Sequence, residues 1–201
     1  MTTHNPDVIC IAEPLIKPPT LLPPVICRHG FSANFLHNDI PHRVGNLWVF
    51  WREGLAISLV SLSHQQITVC VNSFLMSFVH ASSSYGLRRE LWQDLSQLRM
   101  NNEAWAVIGD FNIVSAVVER KGGCRPCLTA MNEFNFFIHS NALIDSTTLG
   151  YKFSWGMWDG GAKFSHESFL ITALLWAGTL ASPNPTTSLF GLERLGLTMS
   201  H

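Results

Sequence analysis

Charge is scarce in this sequence. Lysine, arginine, aspartate and glutamate make up 13% of the 201 residues, about half of the roughly 25% usual in a soluble domain. The 13 basic and 14 acidic side chains leave a formal net charge of −1, so no global positive field gathers nucleic acid, and such a partner must be met by a local site. Long apolar runs are absent too. The longest, residues 169–180, falls well short of the roughly 20 residues that a membrane span needs. Residues 1–7 carry no basic stretch ahead of an apolar one, so no secretory signal is read, no membrane partner is expected, and an intracellular setting, nuclear or cytoplasmic, is the default. Cysteines are few, odd in number and irregularly spaced at 10, 27, 70, 124 and 127, which argues against a disulfide framework. Cys124-Arg-Pro-Cys127 has no second CxxC, and a structural zinc site needs two more ligands. His139 and His166 are the conceivable ones; a plain loop after Gly122-Gly123 is the simpler reading. The nine histidines show no HxH or HExxH spacing.

What is present is apolar: 47% hydrophobic and 11% aromatic residues exclude disorder as the main state and suffice for the core of one α/β or β-rich domain, or at most two small ones. Six of the ten prolines fall in residues 14–45, so that stretch reads as irregular connection after a short strand at 8–12. Short β-branched or aromatic segments follow at 47–51, 55–60, 67–71 and 74–79, separated by turn residues, as in a largely antiparallel sheet. Ser83 or Ser84 can cap a helix over about 87–100, with Leu87, Leu91, Leu95 and Leu98 on one face. An apolar strand, 105–108, then runs into Gly109-Asp110-Phe111-Asn112. A second helix over about 128–141 turns Met131, Phe134 and Ile138 inward, Leu143-Ile-Asp145 follows it, and Phe153-Ser-Trp155 is a further strand candidate. This mixture predicts an α/β (α+β) fold of two packed, mixed β-sheets flanked by helices. Trp48, Trp92, Trp105 and Trp155 read as core rather than as stacking platforms for bases.

Gly-Asp-x-Asn is by itself good turn chemistry. At the end of a buried strand, however, such a turn lifts a carboxylate and an amide together out of the sheet edge. Around it stand Arg88-Arg89-Glu90-Leu91-Trp92, Glu119-Arg-Lys-Gly-Gly123, Glu133-Phe134, Leu143-Ile-Asp145 and Lys152-Phe-Ser-Trp155. In this order the set resembles the endonuclease/exonuclease/phosphatase superfamily, in particular the apurinic-type endonuclease domain of plant LINE (non-LTR) retrotransposons. The resemblance runs from about residue 5 to residue 175 and implies a four-layer α/β sandwich.

It also implies roles. His4-Asn-Pro-Asp-Val-Ile-Cys-Ile-Ala-Glu-Pro14 looks like the strand that delivers a metal-binding glutamate, here Glu13. Gly45-Asn-Leu-Trp-Val-Phe-Trp51 is similar to the Gly-rich start of the central strands. His80 stands where the family has a tyrosine that reaches the scissile phosphate, and a histidine can still donate to phosphate. Apart from the resemblance, Arg88 and Arg89 could touch nucleic-acid backbone, although on a helix that buries its leucine face such arginines are more often solvated charge. By the motif Asp110 orients and activates water and Asn112 hydrogen-bonds that water or the phosphate, with Mg²⁺ as the implied cofactor. DNA is the implied substrate, and a reverse transcriptase domain the implied companion in a parent element.

Four departures temper this. The family's first strand has no counterpart, so the domain is expected to be truncated, over residues 1–176, with 177–201 an irregular tail. Ile171 replaces the aspartate that orients the family's catalytic histidine. The closing Ser-Asp-His survives only as Met199-Ser200-His201, with His201 the candidate for transition-state support. Beyond His201 no residue is left to continue the last strand. Losing an orienting aspartate alone costs orders of magnitude in rate, so the expectation is an endonuclease-like domain with impaired activity. The alternatives are a non-catalytic remnant that keeps the fold as a nucleic-acid or protein binding module, and an unrelated α/β protein with a chance Gly-Asp-Phe-Asn turn.

Overall fold

The computed structural model describes residues 6–98, 104–122, 124–145, 155–158, 164–168, 171–176 and 198–200, with side chains described over 6–98, 104–120 and 124–145. In chain order the elements are β1 (Val8–Ala12), α1 (Pro24–Arg28), β2 (Leu36–His37), β3 (Leu47–Trp51), β4 (Ile57–Leu62), β5 (Gln66–Val71), β6 (Phe74–His80), α2 (Tyr85–Leu98) and β7 (Ala104–Asp110). They continue with β8 (Arg120–Gly122), α3 (Leu128–Ser140), β9 (Ile144–Asp145), β10 (Trp155–Trp158), β11 (Phe164–Ser168), β12 (Ile171–Trp176) and β13 (Thr198–Ser200).

Two larger sheets carry the fold. One has the order β13-β1-β3-β2 and the other β4-β5-β6-β7-β12-β9, while β10, β11 and β8 form a small third sheet. Strands β4, β5 and β6 form an antiparallel meander. Asn72 and Ser73 close its second hairpin with φ of 49° and 63°, the pair of positive angles that a primed two-residue turn needs. Helix α2 then carries the chain across so that β7 runs parallel to β6.

Alternation along the strands builds the interior. Val8 and Cys10 of β1 and Leu47 and Val49 of β3 meet Val69, Met76, Phe78 and Ile108 of the facing sheet, all nearly fully buried. On the other side of the larger sheet, Leu75, Val79, Trp105 and Val107 pack under α2 and α3, through Leu91, Trp92, Leu95, Phe134 and Phe137. Burying each such side chain contributes about 1.5–3 kcal/mol. A thinner outer layer lies on the β1–β3 sheet. There Phe31, Trp48 and Phe50 are covered by Leu22, Ile26 of α1 and Phe35. The expected two packed sheets flanked by helices are therefore present, and Trp48, Trp92 and Trp105 are core residues, at 7%, 8% and 1% exposure.

Three local expectations need correcting. The proline-rich stretch holds a five-residue helix, α1, with Pro24 in its first turn, a place where a missing N–H costs nothing. Strand β4 is shifted to 57–62, with Leu59, Val60 and Leu62 largely exposed at the sheet edge. Leu87 is 46% exposed, and Arg88 instead occupies the inward stripe of α2 with Leu91, Trp92 and Leu95. Spacings of three and four residues admit either stripe, and the docking of the first turn decides between them.

Candidate functional site

Strands β1, β6 and β7 end at the same edge of the sandwich. Even-numbered residues of β6 and β7 face the opposite sheet, so His80 continues the inward row Phe74, Met76, Phe78, and Asp110 continues Ala106, Ile108. Beyond the apolar core these two rows become polar. His80 and Asp110 are register partners in the parallel ladder, and the Ala81 N–H donates to the Asp110 carbonyl at 2.8 Å. Gly109 makes this approach possible. It has φ +151°, and a Cβ there would lie 1.9 Å from the Val79 carbonyl oxygen.

Asn112 turns back over the same edge. It adopts φ 49°, a left-handed conformation that asparagine tolerates better than most residues. Its N–H donates to Asp110 Oδ1 at 2.8 Å and its Nδ2 to the Ala81 carbonyl at 2.7 Å. Carboxylate and amide are thus tied to each other and to the residue after His80. Among the described residues, one N–H of the amide is left to donate to water or an anion, and its Oδ1 to accept from water.

Glu13 arrives from the other sheet. It follows the last residue of β1, has φ 50°, and its N–H donates to the Asn46 carbonyl at 2.8 Å. Left-handed backbone at a glutamate is uncommon, and here it turns the side chain across the mouth between the sheets. Glu13 Oε1 stands 3.4 Å from His80 Nε2, with the glutamate side chain 59% and the histidine side chain 15% exposed. His80 Nδ1 receives Asn46 Nδ2 at 2.8 Å. Asn46 and the buried Asn38 behind it were not among the sequence candidates, because an asparagine ahead of an apolar strand reads as turn chemistry.

Arg88 is placed differently from its expected role as solvated charge or phosphate contact. It is 4% exposed, and its Nη1 donates to the carbonyls of Ser82 at 2.7 Å and Ser83 at 2.9 Å. Burial lowers its affinity for the proton, opposed by the charges of Glu133, Cys127 and Asp110. The guanidinium therefore braces the loop after His80 from inside. Gln65, also buried, holds the same loop from the other side, accepting from Ser82 N–H at 2.7 Å and donating to the Leu87 carbonyl at 2.9 Å. Exposed Arg89 is occupied by Glu133, at 2.6 Å.

His201 lies outside the described residues. Strand β13 just before it pairs in parallel with β1, Ser200 across from Ile11, so the chain there heads toward the edge that carries Glu13. Strand β12 lies antiparallel to β7 with Ile171 across from Asp110, which puts the backbone of this position beside the site. Among the described residues no group of three or more His, Cys, Asp or Glu gathers as a metal site, and no helix is long and apolar enough to cross a membrane. In the Cys124-Arg-Pro-Cys127 segment both cysteines are exposed free thiols. His166, one of the two zinc ligands considered with it, lies where side chains are not described. Glu13 fits a Mg²⁺ ligand in kind. It is an exposed carboxylate whose contact with His80, at 3.4 Å, is loose, and Mg²⁺ takes one or two carboxylates with substrate phosphate and water.

No family model matches this sequence, and no curated protein matches it. Solved structures do. The endonuclease domain of TRAS1, a telomere-specific non-LTR retrotransposon, aligns with TM-score 0.61 and 8% identity over 85% of each chain. The chain has the endonuclease/exonuclease/phosphatase fold. The 3′-5′ exonuclease NExo from Neisseria meningitidis gives the same TM-score at 14% identity, over 85% of this chain and 76% of that one. A structure of the 3′ phosphatase NExo from Neisseria bound to product DNA hairpin aligns at 0.61 with 13% identity, over 92% and 78%. The fold is nuclease-like and the expectation of two packed sheets with helices stands; an unrelated architecture does not.

Proposed function

We propose that this chain is a retroelement-derived endonuclease-like domain whose ancestral reaction is Mg²⁺-dependent hydrolysis of a DNA phosphodiester, and that the reaction is impaired here. The observation that carries this reading is the convergence of Glu13, His80, Asp110 and Asn112 at one edge, where three strands from two sheets end. In this reading Asp110 takes a proton from the attacking water, and Asn112, tied to it, aligns that water or a phosphate oxygen. Glu13 would hold the metal ion, which when bound polarises the phosphoryl oxygen and neutralises developing charge. His80 donates to the phosphate, and His201 would support the transition state. DNA enters as substrate, in keeping with the DNA product held by one of the structural neighbours. A reverse transcriptase domain of the parent element is the proposed companion. The proposed unit is residues 1–176, with β13 in the tail standing for the last catalytic strand.

Ile171 favours the second reading, a domain that binds without cutting. Its backbone faces Asp110, where an aspartate would orient a histidine and isoleucine supplies no acceptor. Supercoiled plasmid incubated with Mg²⁺ separates the two. Nicking that chelation stops and that Asp110→Ala lowers at least about a hundredfold supports the enzyme. Equal rates in wild type and Asp110→Ala reject it and leave the binding module.

A further inference from the structure

The hydrogen-bond network behind His80 has its direction set by backbone groups. Asn38 is 1% exposed. Its Oδ1 accepts from the backbone N–H groups of Asn46 at 2.9 Å and Leu47 at 3.0 Å. Its Nδ2 donates to the carbonyls of Ser63 at 3.1 Å and His64 at 3.2 Å. A peptide N–H only donates and a peptide carbonyl only accepts, so the Asn38 amide has a single allowed orientation. The third neighbour of Nδ2, at 2.7 Å, must then be an acceptor, the Asn46 Oδ1. That assignment turns Asn46 Nδ2, a pure donor, onto His80 Nδ1 at 2.8 Å. Nδ1 must accept, and the ring proton resides on Nε2.

We infer that Asn38 and Asn46 are positioning residues that hold His80 as its Nε2–H tautomer, a fixed hydrogen-bond donor at the mouth of the site for an anionic oxygen. With the nuclease reading, on which only the identity of the anion rests, that oxygen belongs to a DNA phosphate. Glu13 does not capture the donor: 3.4 Å to Oε1 is longer than the 2.7–3.2 Å of a formed N–H···O bond. The same logic excludes His80 as a metal ligand through Nε2, since that would require a proton on Nδ1 pointing at the Asn46 amide donor. A histidine locked in this tautomer offers one N-bound proton outward, where a tyrosine hydroxyl offers an O-bound one.

The test is imidazole nitrogen NMR on the full chain labelled with ¹⁵N-histidine, which reads the tautomer without DNA or turnover. His80 is expected to show a bare Nδ1 and a protonated Nε2. Asn46→Asp, which puts an acceptor opposite Nδ1, is expected to move the proton to Nδ1. A protonated Nδ1 in wild type, or an unchanged tautomer in folded Asn46→Asp, overturns the inference. Affinity for a duplex oligonucleotide provides the second measurement. His80→Gln, which keeps an N–H near the place of Nε2, is expected to stay within about threefold of wild type, and His80→Ala to weaken binding about tenfold. Equal losses in the two variants overturn the donor role. Wild-type protein with the expected tautomer but no affinity for DNA would reject the nuclease reading and leave the positioning inference standing.

Discussion

Gly109 sets the distance between the two strands that carry His80 and Asp110. A methyl group in its place would meet the carbonyl oxygen, carbon and nitrogen of Val79 at 1.9, 2.7 and 2.9 Å, and all three are backbone atoms that no rotamer change can move. Gly109→Ala is therefore expected to cost about 3 kcal/mol or more, read as a fall in the midpoint of urea unfolding. An unchanged midpoint would mean that β6 and β7 are not held this closely. Arg88 makes a second contrast at the same scale. Arg88→Met leaves the carbonyls of Ser82 and Ser83 without their donor inside the protein, so a loss of about 2 kcal/mol is expected. Arg89→Ala removes an exposed ion pair with Glu133 and is expected to shift the midpoint far less. Similar shifts in the two variants would contradict the buried placement of Arg88. Neighbours in sequence, the two arginines have different work because adjacent helical residues point in different directions.

Elements explain why part of the site was legible and part was not. The strand running into Gly109-Asp110-Phe111-Asn112 announces itself, because an apolar run that stops at Gly-Asp needs both a strand and a turn. β7 runs two residues past the expected 105–108, so Gly109 and Asp110 still belong to the ladder and the turn begins after them. Glu13 stands out in the sequence only through the family resemblance of residues 4–14. Its meeting with His80 does not, since it depends on how the sheets face each other rather than on either segment. Asn38 and Asn46 were invisible for the same reason. Their roles come from backbone groups at 46, 47, 63 and 64, contacts that span up to 26 residues. The α2–α3 layer was read largely correctly, although Phe137, 2% exposed and stacked on Trp92 at 4.9 Å between ring centroids, was missed beside Phe134 and Ile138. Phe137→Ala is expected to destabilise by about 3–5 kcal/mol. Exposed Phe136, at 73%, is expected to tolerate alanine with less than about 0.5 kcal/mol of change, and comparable losses at the two positions would place α3 in the wrong rotation.

For the molecule as a whole, the composition is explained by its packing. The apolar residues are spent on three layers, and among the described residues the one buried charge, Arg88, braces the loop after His80 from inside. Cys10 reports on whether that architecture holds as one unit. It sits at 1% exposure between the two sheets, and burial pushes its thiol well above the ordinary range, so the reactive thiolate is disfavoured even in mildly alkaline solution. Cys27, Cys124 and Cys127 are exposed free thiols and serve as internal controls in the same sample. Iodoacetamide at pH 8 is expected to alkylate these three within minutes and to leave Cys10 unmodified until the sandwich opens, so that the rate at Cys10 rises with urea along the global unfolding curve. Mass spectrometry of the peptides resolves each site. If Cys10 reacted well below the unfolding midpoint, β1 would be peeling away from the facing sheet while the rest stayed folded. Glu13, anchored at the end of that strand, could then not be held beside His80 in the native state.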